Sequence, residues 1–125
     1  KYDFSLPPSR MYKLVEETQQ RMKPFAQVRN VTGFGHLGDQ NLHLNITVQG
    51  GHSNEVQHAL EPWLYEWVAN ERGSVSAEHG LGLHKSKYLK LNKGEQALEL
   101  MKQMKQMFDP KCLLNPYKVL PYATD

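Results

Sequence analysis

A chain of 125 residues is one domain's worth of sequence, long enough to bury a core. The 15 Lys and Arg stand against 13 Asp and Glu, and a net charge of +2 is too weak a surplus to argue for a nucleic-acid partner. A single cysteine excludes an internal disulfide framework, and no apolar run nears the roughly 18 residues that a membrane span needs. The first residue is Lys rather than Met, which suggests a piece of something longer, so a missing leader says nothing about the parent.

Pro7 and Pro8 suit a helix entry, and Met11, Leu14, Val15, Thr18 and Met22 recur at helical spacing until Lys23-Pro24. Residues 28–35 and 42–48 read as two strands around the turn chemistry of Gly38-Asp39-Gln40-Asn41. Gly50-Gly51 closes the hairpin. Asn54 with Gln57 has the spacing of a capping box, and Val56, Leu60, Leu64, Trp67 and Val68 line a second helix that Pro62 kinks or restarts. Residues 74–78 are expected as a short strand. A last helix carries Ala97, Leu98, Met101, Met104 and Phe108 and stops at Asp109-Pro110, with Met101 and Met104 expected in the core and Met107 at its periphery. Helix, strand, strand, helix, strand is most of a split βαβ unit. The expected fold is therefore α+β, a ferredoxin-like antiparallel sheet with helices on one face. Residues 1–93 are expected as that partial domain and 94–125 as a C-terminal helix and tail.

The chemistry centres on the hairpin. A two-residue loop at Asp39-Gln40 makes His36 and His43 direct cross-strand partners, with Cβ atoms about 5 Å apart on one face. Leu42, Leu44, Ile46 and Val48 alternate with His43, Asn45 and Thr47, so this register sets Leu37 and Val31 on an apolar face and His36, His43 and Asn45 on a polar one. Glu78 falls on the polar side of its strand, and two histidines with one carboxylate form an open zinc-type ligand set. His79, beside that carboxylate and before Gly80-Leu81-Gly82, is suited to a general base. The plainer reading leaves a hydrogen-bonded histidine pair, a solvated glutamate and a loop-capping histidine. Gly33-Phe34-Gly35-His36-Leu37-Gly38 matches the letters of a dinucleotide fingerprint, but a strand follows where the phosphate-binding helix belongs.

Several of these segments occur together and in order: Lys1-Tyr2-Asp3, Gly35-His36-Leu37-Gly38-Asp39, Asn41-Leu42-His43-Leu44-Asn45, Gly73-Ser74-Val75-Ser76-Ala77-Glu78-His79-Gly80, Asp109-Pro110-Lys111 and Leu114-Asn115-Pro116-Tyr117-Lys118. The set resembles the C-terminal part of FAD-linked oxidases of the D-lactate dehydrogenase type, and within them the D-2-hydroxyglutarate dehydrogenases. The resemblance implies a divalent ion, usually zinc, on His36, His43 and Glu78, and His79 as the base that takes the substrate hydroxyl proton. It implies substrate contacts from Asn45 and Lys1 and a cofactor contact from Asn115. FAD would be bound mainly by a domain N-terminal to this chain, on which 94–125 would pack. The implied reaction oxidises a D-2-hydroxy acid, foremost D-2-hydroxyglutarate to 2-oxoglutarate. The implied electron acceptor is a partner such as electron-transfer flavoprotein. The location would be the mitochondrial matrix in a eukaryote and the cytoplasm otherwise.

The sequence departs from that pattern at Gln40 and Cys112, where the family usually carries glycine. A positive φ at Gln40 would cost on the order of 1 kcal/mol. Two other classes of function remain open on the residues alone: a stand-alone His2Glu metal-binding or hydrolytic module, and a non-catalytic ferredoxin-like interaction domain.

Overall fold

Tyr2, Phe4 and Leu6 alternate with Asp3 and Ser5, and this short run opens the fold as strand β1 (Tyr2–Ser5), absent from the expected order. The computed structural model describes residues 1–121, in two compact units, Lys1–His79 and the residues from Gly80 on. That division falls earlier than the expected boundary after residue 93, and 122–125 lie outside the described residues.

In the first unit, helix α1 (Pro8–Met22) begins on a proline and buries Leu14, Val15, Thr18 and Met22. The Thr18 hydroxyl donates to the Leu14 carbonyl at 2.7 Å, which satisfies a polar group in the core. Strands β2 (Val28–His36) and β3 (Asn41–Val48) follow, and the sheet order is β1-β3-β2 with both pairings antiparallel. Helices α2 (Asn54–Leu60) and α3 (Trp63–Asn70) are separate, Pro62 standing between them. The cap of α2 is Ser53, whose Oγ accepts from the Val56 N–H at 3.3 Å, one residue before the expected Asn54.

One face of the sheet is the core. Phe4, Val31, Leu42 and Leu44 are buried there, together with Leu14 and Val15 of α1 and Leu64 and Val68 of α3. Gly33 lets α1 lie close, since a Cβ at that position would overlap Cγ2 of Val15. Phe4 meets Tyr65 of α3 edge to face at 5.7 Å. Trp67 Nε1 donates to Glu17 at 2.7 Å, which ties α3 to α1. The fold is thus α+β with its helices against one sheet face. The topology is that of a split βαβ unit whose fourth strand has shrunk to one bridge, Ser5 to Ser74.

The hairpin corrects the expected register. His36 pairs with Asn41 and Phe34 with His43, a shift of two residues from direct His36–His43 pairing. A two-residue type I′ loop would need positive φ at both Asp39 and Gln40. The chain instead makes one 3₁₀ turn, Leu37–Asp39, and uses a single left-handed residue, Gln40, with φ 63° and ψ 28°. Because side chains alternate with period two, an even shift leaves both histidines on one face. Leu37 now lies in the loop, 69% exposed rather than on the apolar face.

In the second unit, a 3₁₀ helix (Ser86–Leu91) buries Tyr88 and Leu89, and α4 (Glu95–Phe108) buries Leu98 alone. Met104 is 58% and Phe108 77% exposed, so the expected core stripe is largely uncovered within this unit, while Met107 is peripheral as expected. The buried Asp109 carboxylate ends the helix. It accepts from Lys105 Nζ at 2.6 Å and from the peptide N–H groups of Leu113 and Leu114, both at 2.9 Å.

Two predictions follow from the backbone. Gln40→Gly should stabilise the fold by about 1 kcal/mol or somewhat less, read as a higher denaturation midpoint, because glycine carries no penalty at a left-handed position. The hydrogen bond from Lys105, helped by the two peptide N–H groups, holds the Asp109 pKa below the ordinary aspartate value despite its desolvation. A lowered folded pKa stabilises above the unfolded value and is lost as pH falls through the folded one. An NMR titration should therefore find Asp109 ionising below 3.8, with the Leu113 and Leu114 amides losing exchange protection as it protonates.

Candidate metal and active site

The face of the sheet opposite the core carries the polar residues. Register sets Asp3 opposite His43 on one side of β3 and Phe34 opposite His43 on the other. His36, paired with Asn41, lies two residues along on the same face. His43 therefore sits in the middle strand, and its ring is flanked by three others. Phe34 is tilted against it at 5.4 Å, His36 stands edge-on at 5.5 Å, and His79 is stacked at 5.3 Å.

Residues 74–78 do not form the expected strand. Beyond the Ser5–Ser74 bridge, the chain turns around the side chain of Asp3 instead. The Oδ2 oxygen accepts from Ser76 Oγ at 2.8 Å and from the peptide N–H groups of Ala77, Glu78 and His79 at 2.9, 3.1 and 3.0 Å. Those N–H groups would otherwise serve a sheet ladder. Their convergence on one carboxylate makes an anion-binding nest filled by the protein's own anion. Gly73 permits the approach, since a Cβ there would overlap the carbonyl oxygen of Ser5.

The turn delivers Glu78 and His79 to His43. Glu78 Oε1 lies 3.2 Å from His43 Nε2 and 3.7 Å from His79 Nε2, and Asp3 Oδ1 lies 4.0 Å from His43 Nδ1. Among the described residues, Asp3, His43, Glu78 and His79 each offer a ligand atom within 4.8 Å of the others. His36 adjoins this group through its ring contact with His43 without belonging to it. Buried Asp3 and partly buried His43 form the floor, and the side chains of Glu78 and His79 are about half exposed. The donor set of imidazole nitrogens and carboxylate oxygens suits zinc or a similar divalent ion. Beside it, both side-chain polar atoms of the buried Asn41 are without a protein partner.

Residues 1–119 match the family described as FAD linked oxidases, C-terminal domain. The chain belongs to that family. It is 54% identical over 121 residues to the mitochondrial D-2-hydroxyglutarate dehydrogenase of Bos taurus, which covers 97% of the chain and 22% of that protein. The corresponding Arabidopsis thaliana enzyme is 45% identical over 123 residues, 98% of the chain and 21% of the relative. A D-2-hydroxyglutarate–pyruvate transhydrogenase of Saccharomyces cerevisiae is 35% identical over 127 residues, 96% of the chain and 25% of that protein. The chain thus spans about a fifth to a quarter of the relatives it matches.

Within this FAD-linked oxidase domain, His43, Glu78 and His79 are brought together and His36 borders them. Asn45 is half-buried on the same face, two residues along β3 from His43. Lys1 precedes β1, and continuing the register by one residue sets it opposite Asn45. Asn115 lies in the second unit with φ 46°, on an open cleft of about 300 Å³ shared with Met101, Met104, Lys118, Val119 and Leu120. Sequence reasoning missed Asp3 and Phe34. The signal for Asp3 was the Tyr2-Asp3-Phe4-Ser5 alternation, which puts one acidic residue on the polar face of a short strand.

Gly73→Ala tests how tightly the turn is held. The nearest obstacle is a backbone oxygen, with the buried side chains of Leu6 and Val68 close behind it, so the variant should lose on the order of 1–3 kcal/mol. Residues 74–79 should also become the first site of cleavage in limited proteolysis.

Proposed function

We propose that this chain is the substrate-facing C-terminal part of an FAD- and metal-dependent dehydrogenase that oxidises D-2-hydroxyglutarate to 2-oxoglutarate. The observation that carries this reading is the convergence of His43, Glu78 and His79 on one sheet face, in a domain of the FAD-linked oxidase family. The names of the relatives favour D-2-hydroxyglutarate over other 2-hydroxy acids and, for a eukaryotic source, the mitochondrion. FAD, the hydride acceptor when bound, would be held mainly by the portion of the relatives that the chain does not match. The exposed apolar side chains of α4, Met104 and Phe108, are suited to cover by that flavin domain. An electron-transfer flavoprotein is the acceptor class we propose.

His43 and Glu78 would hold the divalent ion, joined by His36, whose ring adjoins that of His43 at the edge of the donor group. When bound it supplies Lewis acidity at the 2-hydroxyl and an adjacent carboxylate oxygen of the substrate, lowering the hydroxyl pKa. The residues of the chain do the rest. His79 is half exposed, and its stacking on His43 keeps its ring beside the site. Its Nε2 takes the hydroxyl proton as C2 gives up hydride, leaving the 2-oxo acid and a protonated imidazole. Lys1 offers positive charge to a substrate carboxylate, and Asn45 offers an amide donor and acceptor. Asn115, in the tail, is the residue proposed to meet the cofactor.

The test separates the base from a ligand. In the full-length protein, His79→Asn should keep metal and flavin content while flavin reduction by D-2-hydroxyglutarate slows roughly 100-fold or more. His43→Asn should lose metal and activity together. Normal flavin reduction by His79→Asn would transfer the base role to another group. Failure of D-2-hydroxyglutarate to reduce the flavin of the unmodified protein would remove the substrate assignment.

A further inference from the structure

Asp3 belongs to no ligand or catalytic role proposed above, yet it is the point on which the site hangs. Its side chain is fully buried, and a charge out of contact with water requires compensation. That compensation comes from the segment carrying Glu78 and His79. Four donors close on Oδ2, three of them consecutive peptide N–H groups, and the Glu78 N–H also reaches Oδ1 at 3.3 Å. With its acceptor sites on Oδ2 filled in this way, Asp3 is a poor choice for a metal ligand through that oxygen. Oδ1 faces Nδ1 of His43, while Nε2 of the same ring faces Glu78. The carboxylate therefore bonds to the backbone of Glu78 and His79 and stands 4.0 Å from the ring nitrogen of His43.

We propose that Asp3 is a positioning residue, setting Glu78 and His79 against His43 so that the donors stand in place before an ion arrives. The proposal rests on the metal reading above and extends it to a residue outside the donor set. Among the described residues the sheet ladder reaches this segment only through the bridge at Ser74, and past the buried Val75 the peptide N–H groups of residues 77–79 go to the carboxylate instead. Without the carboxylate, three peptide N–H groups turn to solvent and the loop samples other shapes. Ion binding must then order the loop, and affinity falls by the free energy of that ordering. Removal of a supporting group behind a metal ligand weakens binding about 10–100-fold.

The experiment measures zinc binding by the full-length protein, stripped with chelator and titrated with zinc against a competing dye, for three variants. Asp3→Asn keeps the side chain's size but removes the negative charge and one of the two acceptor oxygens, so the nest closes on a neutral amide with weaker hydrogen bonds. It should bind zinc about 10–100-fold more weakly. Saturating zinc should restore substrate-driven flavin reduction in it, because the ligands themselves are intact. Glu78→Gln, which lacks a ligand, should lose zinc and should not recover with excess metal. If Asp3→Asn binds zinc as the parent does while Glu78→Gln does not, the positioning role is wrong and the metal reading stands. If Glu78→Gln binds zinc normally, both fail. Should Asp3→Asn not fold, Ser76→Ala decides, because it removes the hydroxyl donor to Oδ2 and leaves the carboxylate and the three peptide donors in place. Roughly threefold weaker zinc binding supports the role, by the worth of one hydrogen bond, and unchanged binding overturns it.

Discussion

The polar face of this domain depends on one buried carboxylate. Asp3 lies in a four-residue strand at the start of the chain, and the segment it holds lies more than 70 residues later. A turn of consecutive peptide N–H groups is unsatisfied unless an anion fills it, and a buried anion is unstable unless donors surround it. Each solves the other's problem. The same pairing explains why the fourth strand of the split βαβ unit stops at Ser74. The N–H groups of Ala77, Glu78 and His79 can serve a ladder or a carboxylate but not both. Here the carboxylate takes them, and the side chains of Glu78 and His79 come to His43 as a consequence.

The hairpin shows the opposite kind of robustness. Its register differs by two residues from the one that direct His36–His43 pairing requires. The apolar face still reaches the core and the histidines still share the other face, because the pleat repeats every second residue. An odd shift would have buried His43 and exposed Leu42 and Leu44. Two of the sequence's departures from the resembled family, Gln40 and Cys112, both occupy left-handed backbone, at φ 63° and 48°. The glycine that the resemblance implies at those positions would sit there without backbone strain, and neither departure falls among the grouped metal donors.

The second unit follows a similar plan at smaller scale. Asp109 ends α4 and gathers the peptide N–H groups of the following turn, as Asp3 gathers those of residues 77–79. Most of the apolar stripe of α4 remains exposed within that unit. A helix with such a stripe specifies that something covers it without specifying what, which is why Met104 read as core from spacing alone.

Periodicity by itself determined the two long helices, the central hairpin, the alternation that separates core from site, and the polar grouping of His36, His43 and Asn45. These are properties of spacing along one element, which local sequence encodes directly. The spaced motifs determined the family as well. Only the tertiary structure decided the hairpin register, since a loop of two residues and one of four leave the same faces in place and differ only in backbone strain. Only it decided that β1 exists, because four residues carry too little pattern to stand alone. The fate of residues 74–78 was likewise beyond local reading. Their Ser-Val-Ser-Ala-Glu alternation is a good strand signal, and it was overruled by a carboxylate from the far end of the unit. Hydrogen-bond donors go to the partner that burial makes most demanding, and sequence spacing does not reveal which distant residue that will be.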